Sequence, residues 1–267
     1  MSGLKPIKQS IKAQAPWLMH GVRLARWAKN QVTFPVVASA IELRAGGRVM
    51  SGPFAGMRVP GTGIGPNFYT QLLGIYEKSL VPVIEAVIGQ APATIVDAGA
   101  GSGYYALGLA MRCPGSRVIA YEIDPTRADV LRKYRRVNNL DARVDVRGEC
   151  TPPALADDLA GPAAPFLLMD VEGAEDGLLD PAQIPGLHGA EILVELHEQY
   201  VPGVTRRIQD RFQDTHRQSV LHAAVPSFDR DLMGRVAGQA ALRPVAMRMM
   251  DEGRGVDMAW LHLTPRR

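Results

Sequence analysis

Ten residues constrain this chain more than any others: Ile95-Val96-Asp97-Ala98-Gly99-Ala100-Gly101-Ser102-Gly103-Tyr104. A β-branched run ends in an acid, three glycines follow at alternate positions, and Tyr104 to Arg112 then continues with apolar residues at helical spacing. Strand, glycine turn and helix in that order mark the ligand end of an open α/β sheet. Glycine permits positive φ there and lets a ligand approach the backbone closely.

The segments around this turn repeat the same grammar. Arg117 to Glu122, Ala142 to Val146, Phe166 to Asp170 and Glu191 to Glu195 read as further strands, and the last two are nearly continuous apolar runs, as in strands covered on both faces. Pro125 to Asn138 reads as a helix, with Asp124 as N-cap and Pro125 at its first position. Helices of about ten residues between such strands imply right-handed crossovers. The expected fold is therefore α/β, a Rossmann-like, doubly wound, mostly parallel sheet. Two apolar runs in the tail, Ser219 to Val225 and Met258 to Leu263, are expected to add edge strands.

Residues 1–92 follow different rules and are expected to form an N-terminal helical and loop segment, a lid or a docking arm, ahead of a ligand-binding domain over 93–267. Pro16 suits a first helical turn. On residues 17 to 30, Trp17, Leu18, Gly21, Val22, Leu24, Ala25 and Ala28 fall on one side of a helix, with His20, Arg23, Arg26 and Asn30 opposite. Residues 1 to 41 hold six Lys or Arg and no acid, so a net charge of +3 conceals a body at −3. The basic helix fits packing against the body with a solvated charged face. It also fits peripheral membrane contact through residues 1–30, and a mitochondrial transit peptide has the same look. Glycines and prolines punctuate 44 to 67, after which Phe68 to Gly89 returns to helical spacing.

No stretch approaches the roughly 20 apolar residues that span a bilayer, and a secretory h-region is not evident, so a cytoplasmic protein is expected. Cys113 and Cys150, without a C-x-x-C or a His-rich neighbourhood, suggest neither a disulfide framework nor structural zinc.

The turn discriminates among nucleotides. A dinucleotide fingerprint needs glycine where Tyr104 stands, and a P-loop needs a lysine that is not there. Asp97, two residues before the first glycine, would repel a pyrophosphate and attract a cation. Glu122 follows Gly103 by 19 residues, close to the spacing at which a carboxylate takes both ribose hydroxyls. A cationic nucleoside without phosphates meets these conditions.

At Asp97, Gly99, Gly101 and Gly103 the sequence resembles the D-x-G-x-G-x-G motif of class I S-adenosylmethionine-dependent methyltransferases. Asp170-Val171-Glu172-Gly173-Ala174-Glu175 and Ile192-Leu193-Val194-Glu195-Leu196-His197 look like segments of the FkbM-like members. The resemblance covers about residues 93 to 200. It implies S-adenosyl-L-methionine as cofactor, with Asp97 at the methionine part, Glu122 at the ribose and Glu149 or Cys150 at the adenine edge. Gly99, Ala100, Gly101, Gly103 and Tyr104 would form the cradle, and Asp170 would hold cofactor or substrate. It also implies methyl transfer to a hydroxyl of a small-molecule or glycan acceptor. Transfer to nitrogen, a non-methyl reaction on the same fold, or a non-catalytic cofactor-binding module docking through its basic arm are the alternatives.

A hydroxyl nucleophile needs a base, and His197 at a strand end is the first candidate, Glu172 the second. Glu175 reads as a first-turn helix acid. Asp170, Glu172 and His197 could assemble a metal site, but an acidic pair after the fifth strand is missing, so no metal is expected. His216 and Trp260 could reach the pocket from the tail or sit in the core. Tyr69, Tyr76 and Glu77 lie where a covering helix could act as a lid. Nucleic acid is not expected as a partner, and self-association is open.

Overall fold

The computed structural model describes residues 34–59, 67–161, 164–222, 242–250 and 259–266. The basic helix expected at 17–30, and the membrane contact assigned to 1–30, fall outside the described residues.

Helix α1 spans 34–45 and α2 spans Phe68–Leu73; a 3₁₀ turn, Lys78–Leu80, leads into α3, Val81–Gln90. Alternation follows: β1 (Thr94–Ala98), α4 (Tyr104–Arg112), β2 (Arg117–Tyr121), α5 (Pro125–Val137), β3 (Val144–Arg147), α6 (Pro152–Leu159) and β4 (Phe166–Met169). Then come α7 (Glu175–Leu178), β5 (Glu191–Leu196), α8 (Val204–Phe212), β6 (His216–His222), α9 (Arg243–Met249) and β7 (Ala259–Pro265). Each of the five strands read ahead of the tail lies within two residues of its expected bounds. Asp124 caps α5 as expected, its carboxylate accepting from the Thr126 and Arg127 amides.

The seven strands form one sheet in the order β3-β2-β1-β4-β5-β7-β6. The first five pair in parallel, while β7 is antiparallel to both β5 and β6. This is the Rossmann-like, doubly wound, mostly parallel sheet expected, with a corrected detail. The two tail strands are not both at the edge: β7 inserts beside β5, and only β6 is outermost. The hydropathy of β7 anticipates this, since Trp260, Leu261 and Leu263 are all buried and need cover on both faces.

The sheet divides the core in two. Val96, Ala98, Ile119, Leu167 and Val194 pack against α6, α7 and α8. Ile95, Val118, Leu168, Leu193 and Trp260 face the other way, against α3, α4, α5 and the described part of the N-terminal segment. Residues from 37 to 87 thus share one core with the sheet. Phe54 anchors this packing. It is 1% exposed, its ring lies where a Cβ on Gly108 would come within 2.3 Å, and it meets Tyr104 and Tyr105 edge-on. Burying a side chain of this size contributes about 1.5–3 kcal/mol. The consequence is local: two tyrosines at the start of α4 are held rigid at the ligand end of the sheet.

The stretch expected to be helical from Phe68 to Gly89 is broken. Helix α2 stops at Gly74, and Glu77 adopts a left-handed φ of 47° before the 3₁₀ turn. Tyr76 and Glu77 therefore sit on a turn. Among the described residues no helix is long and apolar enough to cross a membrane, and Cys113 and Cys150 are both free.

Candidate functional site

Parallel strands bring their carboxyl ends to one side of the sheet, and a crevice of about 630 Å³ opens there. The glycine turn forms its floor. The Gly99 and Ala100 amides both donate to the Tyr121 carbonyl, at 3.0 and 2.8 Å, which ties the turn to the end of β2. Gly99 has φ 90°, and a Cβ there would lie 1.7 Å from the Asp170 carbonyl oxygen. Only glycine lets β1 and the end of β4 approach this closely.

Glu122 is buried. One carboxylate oxygen accepts from the Gly101 amide at 2.7 Å, the other from the Asp124 amide at 2.8 Å, so the acid is held at the lip of the turn. Asp97 differs. It is 1% exposed and lines the crevice; the Ala106 amide lies close, but among the described residues neither oxygen accepts a well-aligned hydrogen bond. Burial pushes its pKa up to about 7; the nearby Ala106 amide opposes the rise, and the negative fields of Asp170 and Glu122 add to it.

The whole lining leans the same way. Among the described residues, seven carboxylates (Glu77, Asp97, Glu122, Glu149, Asp170, Glu172 and Glu195) face the crevice with one guanidinium, Arg127. That balance among the described residues disfavours a phosphate-bearing nucleotide and suits a cationic one. Cys150 lines the same wall as Glu149, and burial pushes its thiol up to about 12, so it stays protonated.

At the β4 and β5 ends the chemistry is of another kind. His197, 1% exposed, holds Glu175 Oε1 at 2.5 Å from its Nδ1. Its Nε2 lies 3.3 Å from Glu172 and 3.6 Å from Asp170, and its ring stacks on Tyr200. Burial pulls the imidazole pKa down, but the Glu175 hydrogen bond and the charges of Glu175, Asp170 and Glu195 outweigh it, and the net shift is upward. Glu175, first residue of α7, is fully buried and also accepts from the Gly173 amide at 3.1 Å. The sequence reading of Glu175 as a helix-end acid is thus incomplete, since its side chain turns inward onto His197. The signal was its place one turn after Glu172 in the D-x-E-G-x-E segment. Glu172 sits at φ 51°, a left-handed conformation uncommon for a non-glycine residue, next to Gly173 at φ 110°.

Asp170, Glu172 and His197 each bring one ligand atom within 4.8 Å of the others, a spacing that could hold a divalent cation. The missing acid pair after β5 therefore does not prevent such a grouping.

Asp97, Gly99, Ala100, Gly101, Tyr104, Glu122, Glu149, Cys150, Asp170, Glu172, His197 and Tyr76 all line the crevice. Three expected residues do not. Gly103 is the left-handed N-cap of α4, packed against Leu131 and Leu107. Tyr69 turns away from the crevice, its hydroxyl donating to Glu42 at 2.8 Å and its ring meeting Phe34 and Phe68. His216 begins β6, which runs parallel to β5, so it lies at the opposite end of the sheet. Its Nε2 donates to the Ala190 carbonyl at 3.0 Å and Thr215 meets its Nδ1, which makes it a satisfied core histidine. Trp260 does line the crevice, buried, with an indole N–H that has no partner. Glu77 and Tyr105 also face it and were not singled out as ligands from sequence.

No protein-family model and no curated protein sequence matches the chain. Solved structures resemble it at low identity. An O-methyltransferase from Bacillus cereus in complex with SAH is 16% identical, covering 89% of this chain and 96% of that one, with a TM-score of 0.46. The O-methyltransferase TomG from Streptomyces achromogenes, in complex with SAM, is 13% identical over 87% and 89%, also at 0.46. Precorrin-6y C5,15-methyltransferase from Geobacter metallireducens GS-15 is 14% identical over 70% and 88%, at 0.44. At such distances the chemistry has to be read from the site itself.

Proposed function

We propose that this chain is an S-adenosylmethionine-dependent methyltransferase of FkbM-like type that acts on a hydroxyl oxygen of a small molecule or sugar. The observation that carries the reading is Asp97, a buried carboxylate with no well-aligned hydrogen bond among the described residues, at the head of a glycine turn in an acid-lined crevice. S-Adenosylmethionine fits these residues, because it is cationic, carries no phosphate and has a ribose. Asp97 would take its methionine end and Glu122 its ribose; Glu149 and Cys150 would border the adenine. When bound, it supplies an electrophilic methyl group on a cationic sulfur.

The chain's own part in transfer is to position the acceptor and remove its proton. His197 is placed for the second task. With Nδ1–H donated to Glu175, the ring presents Nε2 toward Asp170 and Glu172 at the crevice. Nε2 would take the proton of an acceptor hydroxyl held beside it, and the Nδ1 bond to Glu175 would steady the ring as it becomes charged. Glu172, strained and at the mouth of the crevice, is placed to hold acceptor hydroxyls.

The test is calorimetric titration with S-adenosylhomocysteine. Micromolar binding is expected, weakened about 10- to 100-fold by Asp97→Asn, which removes a charged partner worth about 1.5–3 kcal/mol. No binding by the wild type, or no effect of the substitution, would overturn the reading.

A further inference from the structure

We propose that Glu77 is a second carboxylate of the cofactor site and meets, together with Asp97, the α-ammonium of the methionine end; this rests on the cofactor reading above. Glu77 is 4% exposed yet lines the crevice. It sits in the turn between α2 and the 3₁₀ turn before α3, at φ 47°. A non-glycine residue in that conformation is strained, and the strain persists only where the surroundings over-determine it. Here they do: the buried Tyr105 hydroxyl donates to Glu77 Oε2, and the neighbouring Tyr76 ring lies across Tyr104 and Tyr105. The strain fixes a carboxylate in an aromatic-walled corner, an arrangement that favours a cation.

Topology decides which cationic group. Ile95 packs in the core shared with the N-terminal segment, and Asp97, two residues on, points to the same face of the sheet. Glu77 approaches from that segment. Glu122, Glu149 and Cys150 occupy the β2 and β3 ends, the side suited to ribose and base, and Arg127, the guanidinium among the described lining residues, belongs to the first turn of α5. What remains beside β1 and the N-terminal segment is the amino-acid end. Its ammonium has three donors; Asp97 offers two oxygens with no well-aligned hydrogen bond among the described residues, and Glu77 adds the second negative charge.

The experiment compares S-adenosylhomocysteine with 5′-methylthioadenosine, which keeps the adenosine and the sulfur but lacks the ammonium. In Glu77→Gln the dissociation constant for S-adenosylhomocysteine should rise about 10-fold or more, while that for 5′-methylthioadenosine stays within about twofold, the second value certifying the fold. Glu77→Asp, which keeps the charge on a shorter arm, should lose less than the Gln variant. Equal weakening of both ligands, no weakening of either, or Asp and Gln behaving alike overturns the proposal. Failure of the wild type to bind either ligand removes the cofactor reading and this proposal with it.

Discussion

Asp97→Asn should make the ligand-free protein more stable above neutral pH while weakening cofactor binding. The carboxyl ionises at about 7 in the folded chain against an ordinary 3.8, chiefly because it is buried. A folded-state pKa above the unfolded one means that the stabilising contribution is fully present below the unfolded value and is lost as pH rises through the folded one. Between about pH 4 and 7 wild-type stability should therefore fall. A shift of this size, at about 1.4 kcal/mol per unit, sets a ceiling of roughly 4 kcal/mol. Asparagine removes the buried charge but leaves an amide without partners, costing about 1–3 kcal/mol, so a net gain of about 1–3 kcal/mol is expected at pH 8. Urea denaturation of both proteins from pH 5 to 8 reads it directly, with the curves converging toward acid. Binding should show the opposite face of the same charge. Wild-type affinity for S-adenosylhomocysteine should fall by up to about 10-fold for each unit that pH drops below about 7, where the carboxyl protonates, and the Asn variant should be flat. An Asn protein that is less stable at pH 8, together with a wild type whose affinity ignores pH, would refute the reasoning.

Glu175→Gln should lower turnover by about 100-fold or more, since it removes the partner that fixes the His197 tautomer. It should also shift the rising limb of the kcat/KM profile to lower pH, because the Glu175 bond and charge hold the imidazole pKa above its usual value; an unmoved limb would exclude His197 as the base. Gly99→Ala, with its Cβ 1.7 Å from the Asp170 carbonyl oxygen at φ 90°, should cost about 2–4 kcal/mol in thermal or chemical denaturation through overpacking and left-handed strain. Tyr69→Phe should cost about 1 kcal/mol from the lost bond to Glu42 and leave cofactor affinity unchanged, whereas a lid residue would alter it. Activity should survive prolonged chelation if Nε2 of His197 receives the proton. Loss on chelation and recovery with Mg²⁺ or Mn²⁺ would instead assign Asp170, Glu172 and His197 to a metal.

Local chemistry alone determined the strand–turn–helix at Asp97 to Tyr104, the cap at Asp124, the five parallel strands and the acid at the end of β2. Each is written in near-neighbour spacing: a glycine that must take positive φ, an acid before proline, an apolar run of strand length. Glu175 could not be read the same way, because its partner His197 lies 22 residues away and on another element. The same holds for Glu77, where helical periodicity continues through a turn that only contacts with the body impose, and for Trp260, which faces the crevice only because β7 inserts antiparallel beside β5. Tyr69 and His216 carry the right chemistry for a site, yet Glu42 and the Ala190 carbonyl satisfy them elsewhere. Sequence spacing thus settled the glycine turn and the acids that border it. Which acids and which histidine meet across it was decided by strand order, because that order sets which distant ends share one face of the sheet.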